Sequence, residues 1–149
     1  MAGNSYPIYS RVGSVGTPVA VTAANTSSQG GGTIGTDIFK AFTADATNGS
    51  YVREVRCMAT ATTPTTTTAT VARVFISSVT SGATTNANTH LIGEIVLPAI
   101  GADNASSATS SFTIPLNIAL PASYTVLITN HAAPAANTQW KFIVVGGDY

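Results

Sequence analysis

The side chains best suited to binding a metal in this 149-residue chain are two histidines, one cysteine and six carboxylates. A zinc site needs three or four such ligands at a workable spacing. His90 opens an apolar stretch and His131 lies in an Ala/Pro-rich stretch, and the sequence has no His-x-His, Cys-x-x-Cys or His-Glu-x-x-His pattern. We therefore predict no metal site and no cofactor.

Nucleophilic catalysis has few candidates in this sequence. Cys57 lies between Arg56 and Met58, and a neighbouring guanidinium can lower a thiol pKa enough to make the thiol reactive. The alternative, which we favour, is that Cys57 is a small buried hydrophobic side chain. No Gly-x-Ser-x-Gly elbow occurs. The run Gly30–Gly32 is not followed by the Lys-Ser/Thr of a phosphate-binding loop.

Two glutamates are the candidates for paired-carboxylate chemistry. Glu54 and Glu94 could face each other as the two acids of a glycoside hydrolase. Each also has arginines near it in the predicted strands, namely Arg53, Arg56 and Arg73. We favour ion pairs that orient a strand or a subunit, and we predict that the protein is not an enzyme.

Two aromatic side chains raise the possibility of sugar binding. Exposed aromatics on a β-sandwich can stack on sugars, and Trp140 and Tyr124 are the candidates. Both lie in apolar stretches, so we favour packing in the core.

The low charge of the chain indicates what its surface can contact. Six basic and six acidic residues cancel, and charged residues make up 8% of the chain, about a third of the usual share. There is no basic patch for nucleic acid or a membrane surface, and no apolar run is long enough to span a bilayer. Because interface cores are depleted in charge, we expect a surface suited to being covered by other proteins.

The elements that would position these residues are mostly predicted to be β-strands. Alternating or continuous apolar runs, rich in β-branched residues and separated by turn residues, predict strands at 51–60, 69–76, 90–98, 112–118, 124–130 and 140–145, with weaker predictions at 19–23 and 37–42. Pro115 favours an edge strand, and Gly93 a bulge. The pattern predicts an all-β fold, a jelly-roll-like antiparallel β-sandwich of about eight strands.

The first 35 residues are rich in Gly, Ser, Thr and Asn. We predict an extended N-terminal arm at 1–35 with a possible first strand, followed by a sandwich domain at 36–149. A Gly-rich terminus is seldom ordered unless something holds it, so we expect the arm to lie against another subunit or against its own sheet. The predicted interface residues are Tyr6, Ile8, Tyr9, Arg11, Val12, Asp148 and Tyr149.

Several strand motifs carry a resemblance to a known group. Arg73-Val-Phe-Ile is followed by Leu91-Ile-Gly-Glu-Ile-Val-Leu-Pro, then by Leu120-Pro-Ala-Ser-Tyr-Thr-Val, and finally by Trp140-Lys-Phe-Ile-Val-Val-Gly-Gly-Asp-Tyr. This series, within residues 50–149, resembles small β-sandwich virion proteins of tailed bacteriophages. In size and composition it is similar to their head decoration or cement proteins.

The resemblance implies a protein displayed in many copies on the capsid surface, where it bridges major capsid subunits and resists internal DNA pressure. It implies a homo-oligomer, a dimer or trimer, bound to other virion proteins. The start, MAGNSYPIYSRVG, lacks the basic and apolar regions of a signal peptide, so we expect synthesis in the host cytoplasm. A tail, baseplate or fibre module and a carbohydrate-binding module are the alternatives.

Overall fold

The computed structural model describes residues 10–102 and 110–149, and in these residues every regular element is a β-strand. The strands are β1 (Val12–Val15), β2 (Val19–Val21), β3 (Gly32–Thr33), β4 (Phe39–Thr43), β5 (Ser50–Ala61), β6 (Thr65–Thr66), β7 (Thr70–Ser77), β8 (Ala83–Thr84), β9 (Thr89–Leu97), β10 (Gly101–Ala102), β11 (Ser111–Leu120), β12 (Thr125–Asn130) and β13 (Thr138–Asp148).

The long strands form two antiparallel sheets. The first sheet has the order β1-β13-β5-β11, and β2 pairs with β13 beyond the end of β1. The second sheet has the order β4-β12-β7-β9. The short strands form two small ribbons, β3 with β8 and β6 with β10. β1 and β2 are one edge strand interrupted near Gly16, whose backbone amide still donates to the carbonyl of Val144 at 2.9 Å.

The strand pairing is that of a jelly roll. With β1 and β2 counted as one strand and the two ribbons set aside, eight strands form four nested antiparallel pairs: β1/β2 with β13, β4 with β12, β5 with β11, and β7 with β9. Pairing of β13 with β5 joins two of these pairs into the first sheet, and pairing of β12 with β7 joins the other two into the second sheet. The predicted all-β, jelly-roll-like sandwich of about eight strands is confirmed.

The main core lies between the two sheets. Trp140, Phe142 and Val144 alternate along β13 and face inward, where they meet buried residues such as Val74 and Ile128 from the second sheet. At about 25 cal/mol per Å² of buried apolar surface, packing of this kind is the dominant stabilising term.

Two bulges shift the alternation of side chains along the strands. In β5 the register on β13 skips Arg53, so Val52 and Val55 both face the core. In β4 the register on β12 skips Ala41, which places Phe39 and Phe42 on the same core cluster although they are three residues apart. A simple period of two therefore fails in both strands, and the spacing in β4 imitates a helical one.

Residues 24–38, called here the covering segment, lie on the outer face of the second sheet. Ala24 bridges Asn130 in parallel, and the backbone amide of Asn25 donates to the Asn130 carbonyl at 2.8 Å. Ile38 packs with Phe75 and Leu127 in a separate buried cluster, called here the second core. In the part of the predicted arm that the structure describes, the chain therefore contacts its own sheets.

Most predicted strands match the structure within a few residues, and the edge position of β11 is confirmed. The bulge predicted at Gly93 lies next to it, since the register of β9 on β7 skips Ile92. The strand Val12–Val15 was not predicted, because its sequence Val-Gly-Ser-Val has little strand character. Three stretches between the predicted strands contain the short strands β6, β8 and β10.

Candidate interaction surface

The outer face of the first sheet differs from that of the second sheet, because in the described residues no segment like residues 24–38 lies across it. The register places Lys141, Met58 and Ser111 in one row across the sheet, and Ile143, Arg56 and Thr113 in the next row. These rows line a groove of about 530 Å³, with Pro18 of the edge strand at its side. We call this surface, with its groove, the open face.

The open face combines an apolar floor with positive charge. Met58 is 44% exposed, which is unusual for a large apolar side chain in a central strand, and Ile143 is half-buried beside it. Lys141 is exposed, and no hydrogen bond or ion pair of its side chain is found in residues 10–102 and 110–149. A ligand on this face would meet apolar contacts at its centre and an unpaired ammonium group at the rim.

Glu54 neutralises part of the charge next to the groove. Its carboxylate accepts hydrogen bonds from Arg53, at 2.9 Å, and from Arg56. The bond from Arg53, followed by the one from Arg56, holds the pKa of Glu54 below its usual value of 4.5. Two arginines share one glutamate, so this edge of the open face keeps a net positive charge.

The covering segment gives the second sheet a different outer face. Arg73 is largely buried there, and its guanidinium donates to Glu94 at 2.6 Å and lies 3.5 Å from the carbonyl oxygens of Asn25 and Thr26. It also lies 3.4 Å from Nδ1 of His131. One arginine thus joins two strands, a loop and the covering segment.

A second polar group inside the covering segment fixes its shape. The Asn25 side-chain amide donates to the Gly31 carbonyl and to the Asp37 carboxylate, both at 3.0 Å. Asp37 in turn accepts the backbone amide of Thr33 at 2.7 Å. These bonds satisfy backbone groups in a Gly-rich stretch that has little apolar surface of its own to bury.

The predicted interface residues that the structure describes lie together at one end of the first sheet. The backbone amide of Arg11 donates to the carbonyl of Asp148 at 2.7 Å, and Val12 pairs with Asp148 while its side chain is 63% exposed. Asp148 accepts a hydrogen bond from Ser50, and the Tyr149 amide donates to Gly49. Tyr6, Ile8 and Tyr9 lie outside the described residues.

Cys57 and Trp140 both belong to the core, as predicted. Burial raises the pKa of the Cys57 thiol to about 12, so the thiolate is scarce at neutral pH and the thiol is inert. Trp140 is 1% exposed and makes an edge-to-face contact with Phe112, with ring centroids 5.7 Å apart. Tyr124 is half-buried and packs against the same core.

The remaining candidates for chemistry are dispersed. Glu54 and Glu94 lie on different sheets, and each forms an ion pair with arginine, as favoured above. In the described part of the chain, no three His, Cys, Asp or Glu side chains come close enough to hold a metal ion. The same part has no helix that could cross a membrane.

Sequence reasoning did not identify the groove. Three of its lining residues, Met58, Lys141 and Ile143, come from strands that were predicted, but the register between those strands was not. One signal was present in the sequence: Lys141 interrupts the apolar run that begins at Trp140, which indicates an outward-facing position.

Comparisons with known proteins give limited similarity. No family model and no curated protein matches the sequence. Among solved structures, a chain in "Structure of infectious bursal disease virus Gx strain" is similar, with a TM-score of 0.31 and 11% sequence identity. The similarity covers 91% of this chain and 32% of that chain, so this chain spans about a third of its length. A similarity of this degree assigns no family, and the resemblance to phage head proteins stays a prediction.

Proposed function

We propose that this chain is a structural protein of a virus particle, and more specifically a cement or decoration protein that binds across major capsid subunits of a tailed phage. The observation that carries the proposal is the open face: a groove with an apolar floor on an otherwise packed jelly roll. Exposed apolar surface with a polar rim is typical of a protein-binding site.

The distribution of charge supports a protein partner. In the described residues, only Arg11 and Lys141 among the charged side chains have no ion pair or side-chain hydrogen bond. Charges that are already paired need no partner from another subunit, and unpaired charges are costly to bury. A neighbouring protein can therefore cover the paired charges without stranding one, and on the open face it would need to supply an acceptor for Lys141.

We also propose that the protein has no catalytic activity and needs no cofactor. The side chains that could take part in catalysis have structural roles: Cys57 fills the core, and Glu54 and Glu94 form ion pairs with arginines. A dimer or trimer on the outside of the shell is the arrangement that we expect, since symmetric assembly multiplies each weak contact.

The experiment is a cryo-EM reconstruction of particles that contain this chain, together with its copy number by quantitative mass spectrometry. Many copies, spread over the shell at the junctions between capsid subunits, are expected for a cement protein. A few copies at one vertex indicate a tail, baseplate or fibre module. Absence from purified particles contradicts the whole proposal.

A carbohydrate-binding module has less support. That function needs exposed aromatic side chains in a row, whereas Trp140 is buried and every aromatic side chain in residues 10–102 and 110–149 is buried or half-buried. A glycan array is the direct check, and we expect no binding above background.

A further inference from the structure

We propose that the open face binds a segment of a different virion protein in which a carboxylate side chain lies beside apolar side chains, and that Lys141 donates to this carboxylate. The inference rests on the proposed structural function and names the chemistry of the partner. It follows from where the first sheet places its cations and apolar side chains, and from which carboxylates of the chain are already engaged.

The strand register surrounds Lys141 with apolar neighbours. Lys141 lies on β13, with Ala20 of β2 opposite it on one side and Met58 of β5 opposite it on the other. Neither neighbour can accept a hydrogen bond from the ammonium group through its side chain. The lysine stem can lie along these apolar groups while the charged end stays at the surface. The charge is therefore presented to whatever covers this face.

Apolar surface continues from Lys141 along the same face of the sheet. Ile143 and Val145 follow Lys141 at every second position of β13, and Val15 of β1 lies opposite Val145. Val15 is 61% exposed and Met58 is 44% exposed. Exposed apolar surface of this kind is typical of a protein-binding site, and it gives no contact to the phosphate of a nucleic acid. The partner that fits is therefore a protein segment with apolar side chains.

The charges of the open face favour an anionic group on that segment. Arg56 lies diagonal to Lys141 across β5 and β13, a separation of about 7–8 Å between Cα atoms. Arg56 shares the single carboxylate of Glu54 with Arg53. In residues 10–102 and 110–149, no carboxylate is paired with Lys141. An anion placed beside Lys141 is attracted by both cations, whereas a further cation is repelled.

The carboxylates of a second copy are poor acceptors for Lys141. The chain has six carboxylate side chains, of which Asp103 lies outside the described residues. Each of the others accepts at least one hydrogen bond within its own chain, and they are Asp37, Asp45, Glu54, Glu94 and Asp148. Two open faces in contact would also bring like charges together. A different protein is therefore the better source of the carboxylate.

Covering Lys141 requires an opposite charge as well as a hydrogen-bond acceptor. An ammonium group that is taken out of water without a counter-ion is costly to bury. A neutral carbonyl oxygen accepts the hydrogen bond but does not balance the charge, whereas a carboxylate does both and forms the stronger bond. Apolar side chains next to that carboxylate would cover Met58 and Ile143 at the same time.

Zero-length cross-linking tests the pair directly, because the chain has only two lysines, Lys40 and Lys141. Particles that contain this chain are treated with a water-soluble carbodiimide. The reagent activates a carboxylate, the lysine amine attacks it to form an amide bond, and the reagent leaves as a urea. We expect mass spectrometry to find Lys141 joined to an Asp or Glu of another virion protein.

Lys40 is the matched control for the cross-link. It is exposed on β4 of the second sheet, where its ammonium group donates to the carbonyl of Thr80 at 3.1 Å. Both lysines meet the same reagent in the same particle, so the difference between their yields reports the position of a carboxylate. We expect a much lower yield of cross-links from Lys40 than from Lys141.

Substitution measures how much the pair contributes to attachment. Lys141→Gln and Lys40→Gln each remove one positive charge from an exposed side chain, so they change the net charge equally. In competition with the wild type for particles assembled without this chain, Lys141→Gln is expected to bind about tenfold more weakly, an effect between those of an exposed and a fully desolvated pair. Lys40→Gln should bind as the wild type does, and Lys141→Arg should retain most of the attachment.

Three results would overturn this inference. They are Lys141 joined to a carboxylate of this same chain, in one copy or between two copies; equal cross-linking of Lys141 and Lys40; and equal attachment of Lys141→Gln and Lys40→Gln. If any of these is found while the protein still lies on the shell, the proposed function stands and this inference fails. Absence of the protein from particles contradicts both.

Discussion

The two sheets of this jelly roll differ in what lies on their outer faces. The second sheet is covered by residues 24–38 of its own chain, with Ile38 packed on Phe75 and Leu127 and with Arg73 holding the segment in place. The first sheet carries Met58, Ile143 and Lys141 on an open face. Because a segment of the same chain already covers the second sheet, the open face is the one that we propose another protein covers.

The difference is also one of polar chemistry. On the covered sheet, Arg73 and Asp37 hold backbone groups of the covering segment. On the open face, the ammonium group of Lys141 has no such role in the described residues. The charges of the covered sheet hold the fold together, whereas Lys141 forms no ion pair in the described residues.

The largest expected effect comes from the second core. Phe75→Ala removes a fully buried ring between the covering segment and the second sheet and is expected to lower the free energy of unfolding by about 3–5 kcal/mol. Urea denaturation measures this change. Val96→Ala is the control, because Val96 is 70% exposed, and its effect should stay within about 0.5 kcal/mol. Equal effects of the two substitutions would contradict a second core.

Arg73→Ala is expected to have a smaller effect, located in the covering segment. It removes the hydrogen bond to Glu94 and the contacts with the carbonyls of Asn25 and Thr26, with a loss of about 1–3 kcal/mol. Limited proteolysis should cut the variant sooner within residues 24–38 than elsewhere. Arg73→Lys keeps the charge but not the planar fork, and an intermediate rate is expected. Unchanged cleavage in both variants would show that Arg73 does not hold the segment.

Substitution on the open face should leave stability nearly unchanged. Met58 is exposed and its loss creates no cavity, so Met58→Glu is expected to change the free energy of unfolding by less than about 0.5 kcal/mol. The same variant should lose attachment to particles. A variant that is strongly destabilised, or one that attaches as well as the wild type, would remove the distinction between the two faces.

The smallest expected effect is a pH dependence from Glu54. Arg53 and Arg56 lower its folded-state pKa below the usual 4.5, so its contribution to stability is present above about pH 4.5 and is lost as the pH falls through the lowered value. Glu54→Gln should therefore be slightly less stable than the wild type near neutral pH and equally stable in acid. Urea titrations of both proteins at several pH values check this, and a difference that does not depend on pH would argue against it.

The sequence was sufficient to predict the fold class because the long strands have clear β-branched and apolar patterns. Pro115 indicated an edge strand, and β11 lies at an edge. Trp140 and Cys57 lie in strand-like stretches, which indicated burial, and both are in the core. Local patterns indicate which segments are strands and which of their residues suit burial.

Features that depend on pairing over long distances in sequence were not predictable. The bulge at Arg53 makes both Val52 and Val55 face inward, so the side chains of β5 do not follow the strict alternation that a sequence pattern reads. The sequence indicated the covering segment only as part of an arm that some surface must hold. Its shape depends on contacts between residues distant in sequence: the Asn25 amide donates to Asp37, and Asp37 accepts the backbone amide of Thr33 in β3. The groove exists only once β5, β11 and β13 are aligned.

Oxidative footprinting of Met58 tests the open face most directly. Met58 is exposed in the single chain and should form the sulfoxide readily, as detected by mass spectrometry. In assembled particles we predict strong protection of Met58, while the exposed side chains of Leu91 and Val96 on the other sheet remain open to hydroxyl-radical labelling. If Met58 is oxidised equally in free and assembled protein, the open face is not the surface that other proteins cover.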